Sequence, residues 1–168
     1  MTPSSASVSW SVEVDTAEDM HALGIRLAGA LRAGDLVVLS GGLGAGKTTL
    51  TRGIGEGLRV RGAVTSPTFV VARVHPSTVG GPALVHVDAY RLADLAEVDD
   101  LDLDASLAES VTVVEWGAGM VEGLAQSRLE ISFDRGHGAE HDGDEVRTVS
   151  GRGIGDRWAD ADLAATFH

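Results

Sequence analysis

The sequence predicts a layered α/β fold with a mostly parallel central sheet and some antiparallel strands. Short apolar, β-branched runs recur along the chain, and amphipathic helical patterns separate the early ones. A glycine-rich loop also joins one predicted strand directly to one predicted helix. The 168 residues are long enough for one sizeable core, so a single domain, 1–168, is predicted, with a poorly ordered tail beyond about residue 150.

The first elements alternate between strand and helix. Val8–Val14 alternates apolar with polar residues, which predicts a half-exposed strand. The pair Asp15-Thr16 offers helix N-cap candidates, and Met20–Leu31 carries an amphipathic helical pattern. Leu36–Leu39 predicts a buried strand, and Thr48–Leu58 has apolar residues at a four-residue spacing typical of a helix.

The later part of the chain contains mostly short strand patterns. They cover Val60–Val64, Phe69–Val74, Ala83–Val87, Val111–Val114, Leu129–Phe133 and Val146–Val149. Leu92–Leu107 has helical spacing, and its acidic residues are predicted to face solvent. Asp134–Glu145 predicts a loop, and Gly151–Gly155 predicts a turn because glycine is frequent in turns.

The glycine-rich loop matches the phosphate-binding pattern Gly-x-x-x-x-Gly-Lys-[Ser/Thr], the P-loop, over Gly41–Thr48. Its backbone N–H groups can turn around phosphates, and the next helix directs its positive N-terminus to the same point. Lys47, which is the only lysine in the chain, is predicted to reach the β- and γ-phosphates. The predicted nucleotide-binding residues are Gly41, Gly42, Leu43, Gly44, Ala45, Gly46, Lys47, Thr48 and Thr49. The predicted fold is therefore a P-loop NTPase-like three-layer fold.

Two acids follow buried strands and are predicted to supply the metal side of this site. Asp88 follows Ala83–Val87, and Glu115 follows Val111–Val114. Because ligands of open α/β sheets bind at the carboxyl ends of the strands, both acids could converge near Thr48. Thr48, Glu115 and Asp88 are the predicted Mg²⁺ ligands, and Lys47, Asp88 and Glu115 are the predicted catalytic residues. The alternative for either acid alone is an N-cap or a surface position.

The nucleotide base is constrained by residues that the chain lacks. GTPases usually select guanine with an Asn-Lys-x-Asp segment, whereas this chain has no asparagine and no second lysine. The sequence therefore favours ATP, with ADP as its product, over GTP.

The amino-acid composition indicates which binding partners and which cellular compartment to expect. The net charge of −12 opposes direct binding of a polyanion, so nucleic acid is not expected as an unaided partner. The absence of cysteine fits a cytoplasmic protein. No apolar run is long enough to span a bilayer, and the polar, Ser-rich start argues against export.

Two further patterns match known functional sites. Thr65–Thr68 offers three hydroxyls around a proline and could sense the γ-phosphate, with an ordinary turn as the alternative. His137–His141 matches the zinc-peptidase pattern His-x-x-Glu-His. That chemistry needs a stable helix, and the surrounding glycine- and aspartate-rich loop predicts no such helix.

Four motifs together resemble one known family, TsaE, also called YjeE. They are Gly-Gly-Leu-Gly-Ala-Gly-Lys-Thr-Thr (41–49), Ser-Pro-Thr-Phe (66–69), His-Val-Asp-Ala-Tyr-Arg-Leu (86–92) and Val-Glu-Trp (114–116). They occur in the family's order and spacing. The chain departs from the family pattern at Gly42 and Gly117, and at Met20, where the family often has Thr.

The resemblance implies an ATP- and Mg²⁺-binding subunit of tRNA threonylcarbamoyladenosine (t6A) synthesis. It implies action on the TsaB–TsaD pair, which modifies adenosine 37 of ANN-decoding tRNAs, with ATP hydrolysis that is weak in the isolated subunit. It assigns Lys47 to the phosphates, Thr48 and Glu115 to Mg²⁺, and Asp88 to the metal or water. It also suggests residues 66–69 as a switch segment and Trp116 as an active-site aromatic residue, for which core packing is the alternative.

Two other functions are compatible with a phosphate-binding motif. A P-loop small-molecule kinase would usually add an arginine-rich lid, for which the segment after Phe133 is a poor candidate. A nucleotide-binding regulatory module would bind without turnover. Arg91 is the first candidate for an arginine that contacts the phosphates.

Overall fold

A computed structural model describes residues 7–41, 46–60, 72–88, 109–115, 127–135, 147–155 and 158. Its elements are β1 (Ser7–Val14), α1 (Ala17–Ala28), β2 (Leu36–Gly41), α2 (Lys47–Leu58), β3 (Ala72–His75), β4 (Ala83–Asp88), β5 (Ser110–Glu115), β6 (Arg128–Arg135) and β7 (Arg147–Ile154). Neither described helix is long and apolar enough to cross a membrane.

The strands form one mixed sheet in the order β1-β7-β6-β2-β5-β4-β3. Its centre is parallel, because the three adjacent pairs β6–β2, β2–β5 and β5–β4 are parallel. Both flanks are antiparallel, since β7 pairs with β6 and β1 on one side and β3 pairs with β4 on the other. The predicted α/β class is confirmed.

One face of the sheet carries the core beneath α1 and α2. Alternate residues of the strands point to this face, as the two-residue period of a strand requires. They pack with the apolar sides of both helices. The buried cluster contains Trp10, Val14, Met20, Leu23, Leu27, Val37, Leu39, Leu50, Ile54, Leu84, Val111, Val113, Leu129, Ile131, Phe133 and Val149. We call this face the helix face.

The opposite face becomes polar toward the β1 edge. Ser9 and Ser11 of β1 alternate there with the buried Trp10. In β6, both oxygens of Glu130 accept hydrogen bonds, from Arg128 Nε at 3.0 Å and from Arg152 Nη2 of β7 at 3.1 Å. The contact with Arg152 joins β6 to β7 on the polar side of the sheet.

Helix α1 begins earlier than its apolar pattern predicts. Thr16 is the N-cap, and its Oγ1 accepts a hydrogen bond from the Asp19 backbone N–H at 3.0 Å. The first turn is polar and acidic, so the apolar pattern does not reveal it. Acidic side chains in this turn stabilise the helix, because its N-terminal end carries a partial positive charge. Thr16 was one of the two predicted N-caps, and the structure confirms it. The apolar pattern alone begins three residues after the helix starts, at Met20, and ends three residues beyond Ala28.

Helices α1 and α2 pack closely because glycines lie between them. A β-carbon on Gly24 would lie 2.9 Å from the Cα of Gly53. A second contact joins the helices at the surface, where His21 Nε2 lies 2.7 Å from Glu56 Oε2. The position of α1 is thus tied to that of the helix that follows the predicted phosphate-binding motif.

The predicted turn over Gly151–Gly155 is wrong, because β7 continues through Ile154. The indole of Trp10 lies directly over Gly151, in the space that any side chain there would occupy. Gly151 pairs with Trp10 of β1 and with Ile131 of β6. Glycine here makes room for the tryptophan inside a strand.

Several predicted segments lie outside the described residues. Two predicted strands are described only in part: Val60–Val64 only at Val60, and Phe69–Val74 only from Ala72 onward. The predicted helix Leu92–Leu107, the predicted loop after Arg135 and most of the tail beyond Gly155 are not described. At the boundary, Val60 bridges to Ser77, and the Thr78 N–H and Oγ1 both donate to the Arg59 carbonyl oxygen.

Candidate functional site

The candidate site begins where the central strand β2 ends. β2 lies between β5 and β6, and it runs to Gly41, the first residue of the predicted phosphate loop. The loop residues Gly42–Ala45 lie outside the described part of the chain. The described backbone resumes at Gly46, and α2 starts at Lys47. The described strand and helix thus lie directly before and after the predicted phosphate-binding motif, as the sequence predicts.

Gly46 is the N-cap of α2 and adopts a left-handed conformation with φ of 100°. This conformation favours glycine, and a β-carbon added there would also lie 3.0 Å from Met20 Cε. No acidic residue occupies the first turn of α2, so no carboxylate there competes for the positive helix end. The head of α2 can therefore receive an anion.

Lys47 is the first residue of α2, and only 6% of its surface is exposed. Its carbonyl oxygen accepts a hydrogen bond from Thr51 Oγ1 at 2.8 Å, within the first turns of the helix. A lysine ammonium supplies a compact positive charge, which suits a phosphate. Burial strengthens such an electrostatic contact because the local dielectric is lower than in water.

Thr48 and Glu115 meet across the gap between α2 and the sheet. The Thr48 hydroxyl donates to Glu115 Oε1 at 3.4 Å, and Glu115, the last residue of β5, is 4% exposed. A hydroxyl and a carboxylate are the hard oxygen ligands that Mg²⁺ prefers. The residues present therefore fit a magnesium ion at the head of α2.

Asp88 ends β4 beside Glu115. The two residues pair in register, and Glu115 pairs on its other side with Leu39 of β2. The predicted strand ends are therefore neighbours, next to the strand that leads into the loop. The Asp88 side chain lies outside the described part, so its role as a metal ligand or catalytic acid stays a prediction.

The sequence interpretation gave no role to His86, which also contacts Glu115. His86 is fully buried, and its Nε2 lies 3.3 Å from Glu115 Oε1. The two atoms are close enough for a hydrogen bond, but the angle is unfavourable, so this is a polar contact without a hydrogen bond. The available signal was its position two residues before Asp88, since residues two apart share one strand face.

The remaining predicted residues cannot be placed. The segment Ser66–Phe69, Arg91, Trp116, Gly117 and the pattern His137–His141 all lie outside the described residues. Among the residues that the structure does describe, no three His, Asp or Glu side chains converge to hold a metal ion by themselves. A magnesium site built here would include Thr48 and oxygens from a bound phosphate group.

Comparison with known proteins gives one consistent result. A sequence profile of the family described as threonylcarbamoyl adenosine biosynthesis protein TsaE matches residues 14–142. The Streptomyces coelicolor protein named tRNA threonylcarbamoyladenosine biosynthesis protein TsaE is 66% identical over 146 residues, covering 86% of this chain and 97% of that protein. The Bacillus subtilis protein of the same name is 37% identical over 142 residues, covering 84% of each.

A solved structure agrees with the sequence comparisons. The crystal structure of Bacillus subtilis YdiB superposes with a TM-score of 0.70 at 29% identity, covering 90% of each chain. The match therefore extends over most of both chains. With this fold, with Thr48 and Glu115 meeting at the head of α2, and with relatives that align over most of their length, the chain belongs to the TsaE family of threonylcarbamoyl adenosine biosynthesis proteins.

Proposed function

We propose that this chain binds ATP with Mg²⁺ at the head of α2 and hydrolyses it during t6A synthesis. The contact between Thr48 Oγ1 and Glu115 Oε1 carries the proposal. It joins the residue that follows the P-loop lysine to a buried carboxylate at a strand end, as Mg²⁺-dependent phosphoryl transfer requires. Lys47, the neighbouring helix end and the left-handed Gly46 support the same ligand.

Each residue has a distinct role in the proposed reaction. The backbone at Gly46 and the Lys47 ammonium bind and orient the phosphates, because both present positive charge at the helix end. Thr48 and Glu115 would hold Mg²⁺, with Asp88 as a second acid near the metal or water. When bound, the ion neutralises charge on the phosphate oxygens. The low exposure of Glu115 keeps water away from this carboxylate.

The proposed partners are the TsaB and TsaD proteins, with tRNA bound only through them. The names of the relatives support a place in tRNA threonylcarbamoyladenosine synthesis. We propose that the modified position is adenosine 37 of ANN-decoding tRNAs. The net charge of −12 supports docking on proteins, because it opposes direct contact with a polyanion. We propose that hydrolysis is weak in the isolated subunit and that the protein works in the cytoplasm with tRNA.

Phosphate release from ATP tests this function. It is measured with Mg²⁺ for the chain alone, with TsaB and TsaD, and with Lys47→Ala in place of the wild type. We expect slow release alone, faster release with both partners, and none above background for the variant. Binding of ATP without release in either setting would point to a regulatory module. Transfer of phosphate to a small acceptor would point to a kinase.

Filter binding of tRNA tests the proposed division of labour. The isolated chain should not retain tRNA at low salt, whereas the assembled complex should. Substituting basic residues of TsaB–TsaD should then remove tRNA binding by the complex. Tight, salt-sensitive binding of tRNA by the isolated chain would contradict the proposal, because such binding requires a basic surface.

A further inference from the structure

We infer that His86 is a positioning residue for Glu115, which fixes the carboxylate that serves Mg²⁺. The inference rests on the proposed function and adds a residue to it. His86 Nε2 and Thr48 Oγ1 approach the same oxygen, Glu115 Oε1, at 3.3 Å and 3.4 Å. The Thr48 hydroxyl donates to this oxygen from the helix, and the His86 ring lies against it on the sheet, so the two side chains restrict the rotation of the carboxylate.

The strand register explains how His86 reaches Glu115. β4 and β5 are parallel, and His86 pairs with Val113. The next pair on the same face, two residues further along both strands, is Asp88 with Glu115. Residues two apart point to the same face, so His86 and Glu115 share the helix face with Leu84 and Val111. The imidazole therefore approaches the carboxylate from the sheet side.

The burial of the His86 imidazole indicates a role beyond packing in the core. Burial of a polar ring without compensation costs free energy, and an apolar side chain of similar volume would avoid that cost. Yet His86 is fully buried, and in the described part of the chain neither of its ring nitrogens has an aligned hydrogen-bond partner. The carboxylate at 3.3 Å is the polar group that the ring can serve.

The unaligned geometry is compatible with a role in the loaded site. Hydrogen bonds of active sites are often long or poorly aligned without ligand and shorten once it binds. Residues that contact a metal-binding carboxylate from behind hold it in the orientation that binds the metal, and they thereby raise metal affinity. His86 would then hold Glu115 while Glu115 itself faces the ion.

Magnesium dependence of nucleotide binding is the first test. ADP binding is titrated with Mg²⁺ and with EDTA for the wild type, His86→Leu and His86→Gln. We expect His86→Leu to raise the Mg²⁺ concentration for half-maximal effect about 10-fold to 100-fold, as loss of an outer-shell partner does. Binding in EDTA should be unchanged. His86→Gln, whose amide can reach the same oxygen, should recover most of the loss.

A double-variant comparison and a matched control separate positioning from packing. In a Glu115→Gln background, His86→Leu should change the Mg²⁺ dependence less than about twofold, because coupled residues are not additive. His75→Leu removes another buried histidine, on β3, and should leave the Mg²⁺ dependence unchanged. Equal effects of His86→Leu in both backgrounds, or an unchanged Mg²⁺ dependence in a wild type background, would overturn the inference.

A nucleotide-free measurement keeps this inference distinct from the proposed function. The side-chain carboxyl ¹³C resonance of Glu115, identified by its loss in Glu115→Gln, should shift in His86→Leu and stay in place in His75→Leu. An unshifted resonance in His86→Leu would overturn the inference even if the ATPase function holds. If His86→Leu does not fold, His86→Asn replaces it, because its amide is too short to reach Glu115.

Discussion

Gly24 of α1 and Gly53 of α2 approach so closely that a β-carbon on Gly53 would lie 3.0 Å from the Cα of Gly24. Gly53→Ala should therefore destabilise the protein by about 1–3 kcal/mol through overpacking, against a helix-propensity gain of about 1 kcal/mol. Urea unfolding measures the difference. Gly81→Ala is the control, since its β-carbon would meet Ser77 Oγ at an ordinary 3.6 Å. A Gly53→Ala protein as stable as wild type would mean that the helices can separate freely.

Lys47→Ala should weaken ATP binding strongly, because it removes a nearly buried ammonium from the head of α2. Loss of one partner of a buried charge pair costs about 2–5 kcal/mol, so Kd should rise at least about 30-fold. Isothermal titration calorimetry measures this. Arg52→Ala removes a cation from the exposed side of the same helix and should bind ATP nearly as wild type does. Equal affinity of Lys47→Ala and wild type would exclude the assigned role.

Glu115→Gln should reduce Mg²⁺-dependent phosphate release about 10²–10³-fold, the usual effect of losing one electrostatic contact in the transition state. The amide keeps the size of the side chain, so the free energy of unfolding should change far less than the rate. Release in the presence of the partners is compared with that of Glu109→Gln, an exposed acid just before β5. A loss of only twofold would show that Glu115 does not serve the metal.

The ion pairs of Glu130 with Arg128 and Arg152 should stabilise the fold in a pH-dependent way. Burial alone would raise its pKa, but hydrogen bonds and charge from Arg128 and Arg152 outweigh burial and hold the pKa below its ordinary value of 4.5. The unfolded chain therefore binds this proton more readily than the folded protein. The ion pairs stabilise the fold fully above about pH 4.5, and their contribution is lost as the pH falls through the lowered pKa.

Urea unfolding of Glu130→Gln at pH 7 and near pH 3.5 tests this dependence. The variant should be less stable than wild type by about 0.5–1 kcal/mol at pH 7, the range of partly exposed ion pairs, and the gap should narrow at the lower pH. Glu13→Gln removes an exposed carboxylate of β1 outside this cluster and should change stability by less. A gap that widens on acidification would contradict the assignment.

Local patterns predicted most elements, whereas features that depend on distant neighbours were missed. The start of α2 was placed within one residue, because a glycine loop and a four-residue apolar spacing mark it. Gly151 was assigned to a turn, because nothing in its local sequence shows that Trp10 occupies the space above it. The antiparallel insertion of β7 between β1 and β6 likewise depends on long-range pairing.

The same distinction holds at the candidate site. Thr48 and Glu115 were predicted from motif position and from strand ends, and the structure brings them together. His86 was missed because a histidine inside an apolar strand looks like core until the register of the neighbouring strand is known. Its contact with Glu115 depends on that register and on the shared face.

The place of β1 in the sheet has a consequence for synthesis on the ribosome. β1 leaves the ribosome first, but its partner in the described sheet is β7, with Ser7 opposite Ile154. Trp10 therefore lacks its strand neighbour until β7, at residues 147–154, has emerged. Such long-range pairing slows folding, and an unpaired strand edge invites aggregation during the delay. A ribosome stalled before residue 147 should thus carry a nascent chain with β1 open to chaperones.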